Sequence, residues 1–423
     1  LLRSLKSYKE TRTQVLAGIT SFFAISYIII VNPMILKDAG MPFDLSVFAT
    51  IIISIIGCLI MAIWGQAPII LTPGMGVNAF FTYTLVVSMH FSWQTAIAVS
   101  IISSLFYIVI AFSKLSDLLS NAIPQVIKTG ITVGIGMFLV ELGLEKAGLI
   151  VAGHNGSLLA LGYLQNAGTL LALFGLIITL VLFLMKIPGN FIIGILVTSI
   201  VGFIFHIKGQ TATVQFSKIN SLPQIFAQGN FEAIGDIKFW LAVFSMTMIL
   251  VFESMGLLEG ILPDKSKFKR SFQSSAITAF LSGIIGTSPT VGAAESAAGI
   301  ETGGRTGLVA LVASVFFTAS LFLVGFLKYV PQVAIAPVII ITGATMMQNL
   351  KLINFEDFSD WFPAFLIIVL IPLTGSIATG LCFGFISYPI TKSVVHQTQE
   401  ISVTMWILSL TFLINLICST FLT

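Results

Sequence analysis

Two glutamates stand in stretches that leave them no water. Glu295 lies at the middle of residues 286–307, GTSPTVGAAESAAGIETGGRTG, a polar and glycine-rich interruption between long apolar runs. Glu253 lies within MILVFESMGLLEG, with no basic residue close in sequence. A carboxylate that cannot be solvated must accept hydrogen bonds, bind a cation or hold a proton. At membrane depth such a group marks a functional site by default. The pair repels an anion and suits a neutral heterocycle that presents N–H donors. A proton held on either carboxylate also offers a way to couple transport to a proton gradient.

A second interruption, TPGMGVNA at residues 72–79, can be laid on SPTVGAAE at residues 288–295 with one constant offset that matches a hydroxyl residue, Pro and Gly. In each, a short extended piece (67–72 and 286–288) meets a proline, and a helix beginning in small residues is expected to follow. Proline near a first helical turn costs no hydrogen bond. The helix then turns its unpaired N–H groups and the positive end of its dipole toward the bilayer midplane. Gly74, Gly76 and Gly292, with Ala293 and Ala294, let a flat ligand or another backbone come close. Asn78 sits in the first of these half-helices, as a ligand contact or as an amide joining helices; the sequence leaves both open. Phe80, Phe81, Phe252 and Tyr83 are placed to stack on a planar ring.

Other polar residues read more plainly. Glu253 has a structural alternative, capping a neighbouring helix. Glu259 and Glu301 read as interfacial or paired, with Arg305 close to Glu301, and Glu141, near the outer end of its span, reads as solvated. His90, His154, His206 and His396 are scattered, so no metal site is expected. Cys58, Cys382 and Cys418 read as buried small hydrophobes. Ser288 and Ser296 have no His or Lys nearby in sequence, which argues against an intramembrane hydrolase.

The elements that must hold these residues follow from composition. Of 423 residues, 57% are hydrophobic and 9% charged, and mean hydropathy is +1.04, so the chain reads as an all-α polytopic membrane protein. No polar stretch is long enough for a separate soluble domain. A net charge of +3, spread along the chain, gives no footprint for nucleic acid. Apolar runs place spans near 14–36, 45–64, 74–89, 92–112, 124–143, 167–186 and 190–207. A polar connection at 208–236 leads to runs near 238–261, 271–286, 293–302, 305–328, 331–350, 359–373 and 376–393. A last run at 402–422 either crosses the bilayer or lies along it.

Fourteen of the 20 Lys and Arg residues fall on one side if the N-terminus is cytoplasmic, which orients the chain N-inside. Arg3, Lys6, Lys9 and Arg12 read as a retained basic flank and not a cleavable signal, and a start at Leu1 reads as a trimmed N-terminus. Seven spans per half insert the two halves in opposite senses, as an inverted repeat requires. The matched interruptions lie in the third span of each half. Ile187-Pro188 and Ile371-Pro372 are expected in the short turn between the sixth and seventh spans of each half.

Five ordered motifs carry a resemblance over nearly the whole chain: TRTQVLAGITSFFAISYIIIVNP (11–33), TPGMGVNAFFTY (72–83), VFESMGLLEG (251–260), ESAAGIETGGRTGL (295–308) and FPAFLIIVLIPLTGSIATGLCFGFISY (362–388). The sequence resembles the azaguanine-type hypoxanthine/guanine/adenine permeases of the nucleobase-ascorbate, or nucleobase:cation symporter 2, group. The resemblance implies 14 transmembrane segments in a 7+7 inverted repeat with two half-helices at the midplane. It implies a core domain from residues 13–113 and 237–328, a gate domain from 124–207 and 331–394, and a C-terminal apolar helix at 402–422. Purine uptake driven by protons through alternating access, and a homodimer joined through the gate, are implied as well. Glu253 and Glu295 would then bind the purine and carry proton coupling, with Asn78 as the family's half-helix amide.

The chain departs from the pattern at two places. It has Glu253-Ser254 where the family usually has Asp-Thr, and residues 289–294 where the family has a Thr-rich run. Both bear on which purine is preferred. The residues leave Na+ open beside H+ as coupling ion, and a xanthine/urate or uracil carrier of the same fold stands as the nearest alternative. An anion transporter or exchanger fits less well, because both site carboxylates oppose it. The expected location is the plasma membrane.

Overall fold

The computed structural model describes residues 8–153, 158–207 and 216–421. Arg3, Lys6, His154, Lys208 and the last residue of the 402–422 run lie outside the described residues. The chain is mostly helical, and among the described residues eight helices are long and apolar enough to cross a membrane, with four shorter apolar ones beside them.

Three helices open the chain, α1 (Tyr8–Ile25), α2 (Ile28–Asp38) and α3 (Phe43–Ile60). The first two form one apolar run broken at Ser26 and Tyr27, where the Ser26 hydroxyl turns back to the Phe23 carbonyl, 3.1 Å away. Side-chain competition of this kind loosens a helix, and Pro33, about two turns further on, removes another backbone donor. The break puts Tyr27, fully buried, at the turn between α1 and α2.

After α3 and a π-helical turn (Met61–Gly65) the chain runs extended into β1 (Leu71–Pro73), then α4 (Met75–Ala79), which continues as π turns over Phe80–Ser88. Next come α5 (Trp93–Phe112), the short α6 (Leu115–Ala122) and α7 (Gln125–Lys146). A ribbon of β2 (Ile150–Ala152) and β3 (Leu159–Leu161) precedes α8 (Ala167–Leu184) and α9 (Asn190–Ile204). The second half holds α10 (Ile237–Ile261), α11 (Phe268–Ile285), β4 (Thr290–Gly292), α12 (Ser296–Glu301) and α13 (Leu308–Ser320), which runs on as a 3-10 segment, Leu321–Tyr329. The chain closes with α14 (Ala336–Met347), α15 (Phe358–Thr374), α16 (Ile377–Val394) and α17 (Val403–Phe421).

Most boundaries fall within a few residues of the apolar runs, because hydropathy marks lipid-crossing segments directly. Pro372 does not: it lies in the last turn of α15, and the chain reverses at Gly375, whose φ is +60°. Pro188, by contrast, is in the turn between α8 and α9.

The helices pack as two sets. In one, α11 and α10 lie on α5, while α13 lies on α1 and α3 and α2 on α3. In the other, α7 packs against α14, α15 and α16, and α8 against α9 and α14. Helix α7 is central, with 78% of its apolar window buried, whereas α8 is peripheral at 28%. At the α7–α14 crossing Gly136 faces Gly343, and a Cβ on Gly136 would stand 2.7 Å from the Gly343 carbonyl oxygen. Small residues at such crossings let the backbones meet, since lipid supplies no hydrophobic drive between helices. Helix α11, too polar for lipid, is enclosed by its neighbours, with Ser271, Ser274, Ser275 and Ser282 buried.

Helix α17 packs along α16. Phe412 stacks on Phe385 at 4.5 Å and meets Phe244 of α10 edge-on at 4.9 Å, while Asn415 donates to the Ser245 hydroxyl at 3.2 Å. Cys58 and Cys382 are buried as expected, and Cys418 on this helix is half-buried.

Candidate functional site

Non-helical backbone survives at membrane depth only when its polar groups are paired within the protein. Here the two extended pieces pair with each other. Strands β1 and β4 run antiparallel, with Leu71 opposite Gly292, Thr72 opposite Val291 and Pro73 opposite Thr290. Bonds beyond the ladder extend it: Gly74 N donates to the Pro289 carbonyl (3.2 Å), Ala293 N to the Ile70 carbonyl (2.8 Å) and Ile70 N to the Ser296 hydroxyl (2.9 Å). The ribbon is fully buried.

This pairing corrects the constant-offset alignment. The first half-helix starts at Met75, right after Gly74, but the second starts only at Ser296, beyond the strand that contains Gly292. Pro73 ends β1 just before the Gly74 cap of α4, whereas Pro289 directly precedes β4 and opens no helix. Glu295 therefore occupies the N-cap position of α12 without a side-chain capping bond, outside the body of the half-helix. The offset matched residue types and could not register that the second crossing keeps five more residues extended or turned before its helix.

Glu253 projects from the middle of α10 to the start of α4. A Cβ on Gly76 would stand 3.0 Å from its Oε2, and one on Gly74 3.4 Å from its Oε1. Its Oε2 is buried and has no hydrogen-bond partner. One turn into α4, Asn78 is 1% exposed, and neither its Nδ2 nor its Oδ1 has a partner. Nearby, Asn32 gives the contrast: its amide donates to Thr50 (2.8 Å) and Thr287 (3.2 Å) and its oxygen accepts from Ser288 (3.0 Å). Asn32 is a satisfied structural amide that pins the entry to β4. Buried polar groups are almost always paired, so an unpartnered amide on α4 and an unpartnered oxygen on the carboxylate that faces α4 make this the candidate site.

Glu295 has a partner that the sequence reading missed. The hydroxyl of Tyr27, at the break between α1 and α2, donates to Glu295 Oε1, and the Thr342 hydroxyl of α14 lies 3.5 Å from the Tyr27 oxygen. The ring of Tyr27 meets Phe191 edge-on at 5.2 Å. A signal was available, since a tyrosine inside an apolar run must find a partner for its hydroxyl. Among the described residues no cation pairs with Glu253 or Glu295.

The remaining predicted site residues divide. Gly76 lies under Ile135 of α7, whose Cγ2 is 2.8 Å from the Cβ position, so this glycine admits both a facing side chain and the Glu253 carboxylate. At Gly292 the close neighbour is Leu257 of α10, 2.7 Å from the Cβ position, which makes it a packing glycine. Ala293 is buried beside it and bound through its N–H to the ribbon. Phe80 and Phe81 are buried next to Asn78. Phe252 stacks on Phe385 at 5.6 Å, so one face of its ring is already covered. Tyr83 is engaged elsewhere, donating to Asp38 at 2.7 Å.

Of the acidic residues outside the site, Glu259 pairs with Lys128 at 3.2 Å, as expected. Glu301 is exposed at the end of α12, while the Arg305 guanidinium donates to the carbonyls of Ile300 and Gly304, each 2.7 Å away. Gln14 of α1 fixes that turn by accepting from Arg305 N and Thr306 N and donating to the Gly303 carbonyl. Glu141 is half-buried: its Oε2 is enclosed without a hydrogen-bond partner, while the residue as a whole keeps partial exposure near the end of α7.

Known proteins share both sequence and fold with this chain. Residues 12–383 match the permease family. The nucleobase transporter PlAzg2 of Paenibacillus larvae is 41% identical over 384 residues, covering 90% of this chain and 77% of that protein. The guanine/hypoxanthine permease PbuO of Bacillus subtilis is 36% identical, covering 96% and 98%. Among solved structures, the transmembrane domain of the cyanobacterial bicarbonate transporter BicA superposes with a TM-score of 0.63 over 89% of this chain and 98% of that one, at 18% identity. That last likeness is one of fold.

Proposed function

Because the chain belongs to the permease family, a multi-pass membrane family, we propose that it imports purine nucleobases, such as hypoxanthine, guanine and adenine, by proton-coupled alternating access. The observation that carries this reading is the cluster at the ribbon, where the buried amide of Asn78 and the Oε2 of Glu253 are both unpartnered. A purine offers complementary groups, ring N–H donors for the carboxylates and ring nitrogens or a carbonyl for the amide and the half-helix N–H groups. Relatives named as a nucleobase transporter and a guanine/hypoxanthine permease support the same substrate class.

In the proposed cycle Glu295, held by Tyr27, accepts N–H groups of the base. Glu253 binds the base or the coupling proton. A carboxylate buried with no cation beside it is a natural proton carrier. The 14 spans form a 7+7 inverted repeat. Residues 13–113 and 237–328 move as a core against a gate of 124–207 and 331–394, which also joins two copies into a homodimer. The chain sits in the plasma membrane with its N-terminus cytoplasmic, following its Lys and Arg distribution.

The test is uptake of labelled hypoxanthine, guanine and adenine by cells expressing the wild-type chain, Glu253→Gln and Glu295→Gln at equal levels. Uptake falls sharply in both variants if the reading holds. Competition by uracil or xanthine instead of these purines would transfer the site to the nearest alternative substrates. An anion carrier of this fold is disfavoured by two carboxylates that lack cations, and anion-dependent exchange would revive it.

A further inference from the structure

Helix α7 meets the other helix set at three levels. At its first turn Lys128 pairs with Glu259 of α10 at 3.2 Å. At its middle Ile135 lies over Gly76, beside the Glu253 carboxylate. At its last turn Lys146 pairs with Asp38 at the end of α2, at 2.6 Å. Lys128, Ile131, Ile135, Phe138, Leu142 and Lys146 follow one another at three- and four-residue spacing, so they form a single stripe down one face. The stripe is apolar between its two lysines. They stand about 27 Å apart along the axis at 1.5 Å per residue, close to the thickness of a bilayer's hydrocarbon core.

Both lysines are shielded, with side chains only 5% and 10% exposed, and a shielded ammonium is stabilised by a paired carboxylate or by entering water. Each pair is also wired to the site. Glu259 shares α10 with Glu253, and Asp38 accepts a second bond from Tyr83, which shares its helix with Asn78. When the facing set moves as a body along or across α7, separating the seam at one end admits water there and releases that lysine. The other end stays shut.

We propose that Lys146–Asp38 and Lys128–Glu259 are the two latches of the α7 seam, each closing one side of the site and breaking in alternation. The proposal rests on the alternating-access part of the reading above, and not on the identity of the substrate. The structure has both latches closed.

The test uses the full chain in nanodiscs, with Cys58, Cys382 and Cys418 replaced by alanine and one reporter, either I131C, one turn from Lys128, or F138C, whose native ring packs on the Tyr83 that bonds Asp38. The native side chains at these positions are 2% and 6% exposed. Labelling by a charged, membrane-impermeant maleimide is followed without substrate, so failure of the purine reading leaves the rates unaffected. K146M is expected to speed labelling of F138C at least fivefold and leave I131C unchanged or slower, and E259Q to do the reverse. D38N serves as a second outer variant, and the swap D38K/K146D should return F138C toward the parental rate. Unchanged rates in folded K146M, D38N and E259Q overturn the proposal. Equal acceleration of both reporters by any of them, or a swap that stays as fast as K146M, overturns it too.

Discussion

Tyr27 donates its hydroxyl to Glu295, joining two residues 268 positions apart in the chain. The bond crosses from the bend in the first span to the N-cap position of α12, and the same hydroxyl oxygen faces Thr342 of α14. One phenol thus holds the carboxylate that we assign to substrate and touches the opposite helix set.

Removing that hydroxyl tests the arrangement with little change in volume. A hydrogen bond to a charged group contributes about 1.5–3 kcal/mol. Tyr27→Phe should therefore lower apparent purine affinity on the order of 10- to 100-fold. Uptake kinetics measure it, with thermal melting of the purified variant to confirm that the fold survives. Unchanged affinity would remove Tyr27 from the site.

The two buried asparagines should respond in opposite ways. Asn32 makes three side-chain hydrogen bonds and Asn78 none, so Asn32→Ala strands Thr287 and Ser288, while Thr50 keeps its bond to the Ser46 carbonyl. We expect Asn32→Ala to destabilise the protein by roughly 2–4 kcal/mol, since each buried group left unpaired costs about 1–3 kcal/mol. Asn78→Ala should melt near the wild-type temperature and lose uptake. Parallel melting curves and uptake assays separate the two, and a strongly destabilised Asn78→Ala would make this amide structural.

Gly76→Ala places a methyl group 2.8 Å from Ile135 and 3.0 Å from Glu253 Oε2. Overpacking of this kind costs typically about 1–3 kcal/mol. Adding Ile135→Ala should relieve the steric part, so the double variant should melt closer to wild type than Gly76→Ala does. A double-mutant cycle on melting temperature checks it, and simple additivity would place the strain elsewhere.

Much of this site can be read from residue order, and its geometry cannot. The helix boundaries, the two interruptions and the exceptional positions of Glu253 and Glu295 all follow from hydropathy and local breakers, which act over a few residues. What the chain order hides is partner choice. The match of residues 72–79 to 288–295 paired Gly76 with Gly292, yet one lies in a helix under Ile135 and the other in a strand against Leu257. Glu141 reads as solvated because it is near a helix end, and only the rotation of α7 shows that one of its two oxygens is enclosed. Tyr27, Lys128 and Lys146 were ordinary members of their runs until the packing brought Glu295, Glu259 and Asp38 to them.

The central claim is that Glu253 and Glu295 bind a neutral purine between the two half-helices. Equilibrium binding of labelled hypoxanthine, guanine and adenine to the purified wild-type chain, Glu253→Gln and Glu295→Gln tests it most directly. The account predicts that wild type binds at least one of these purines in preference to uracil, and that each glutamine variant loses affinity by about tenfold or more, the equivalent of one charged hydrogen bond. Wild-type affinity in both variants would contradict it.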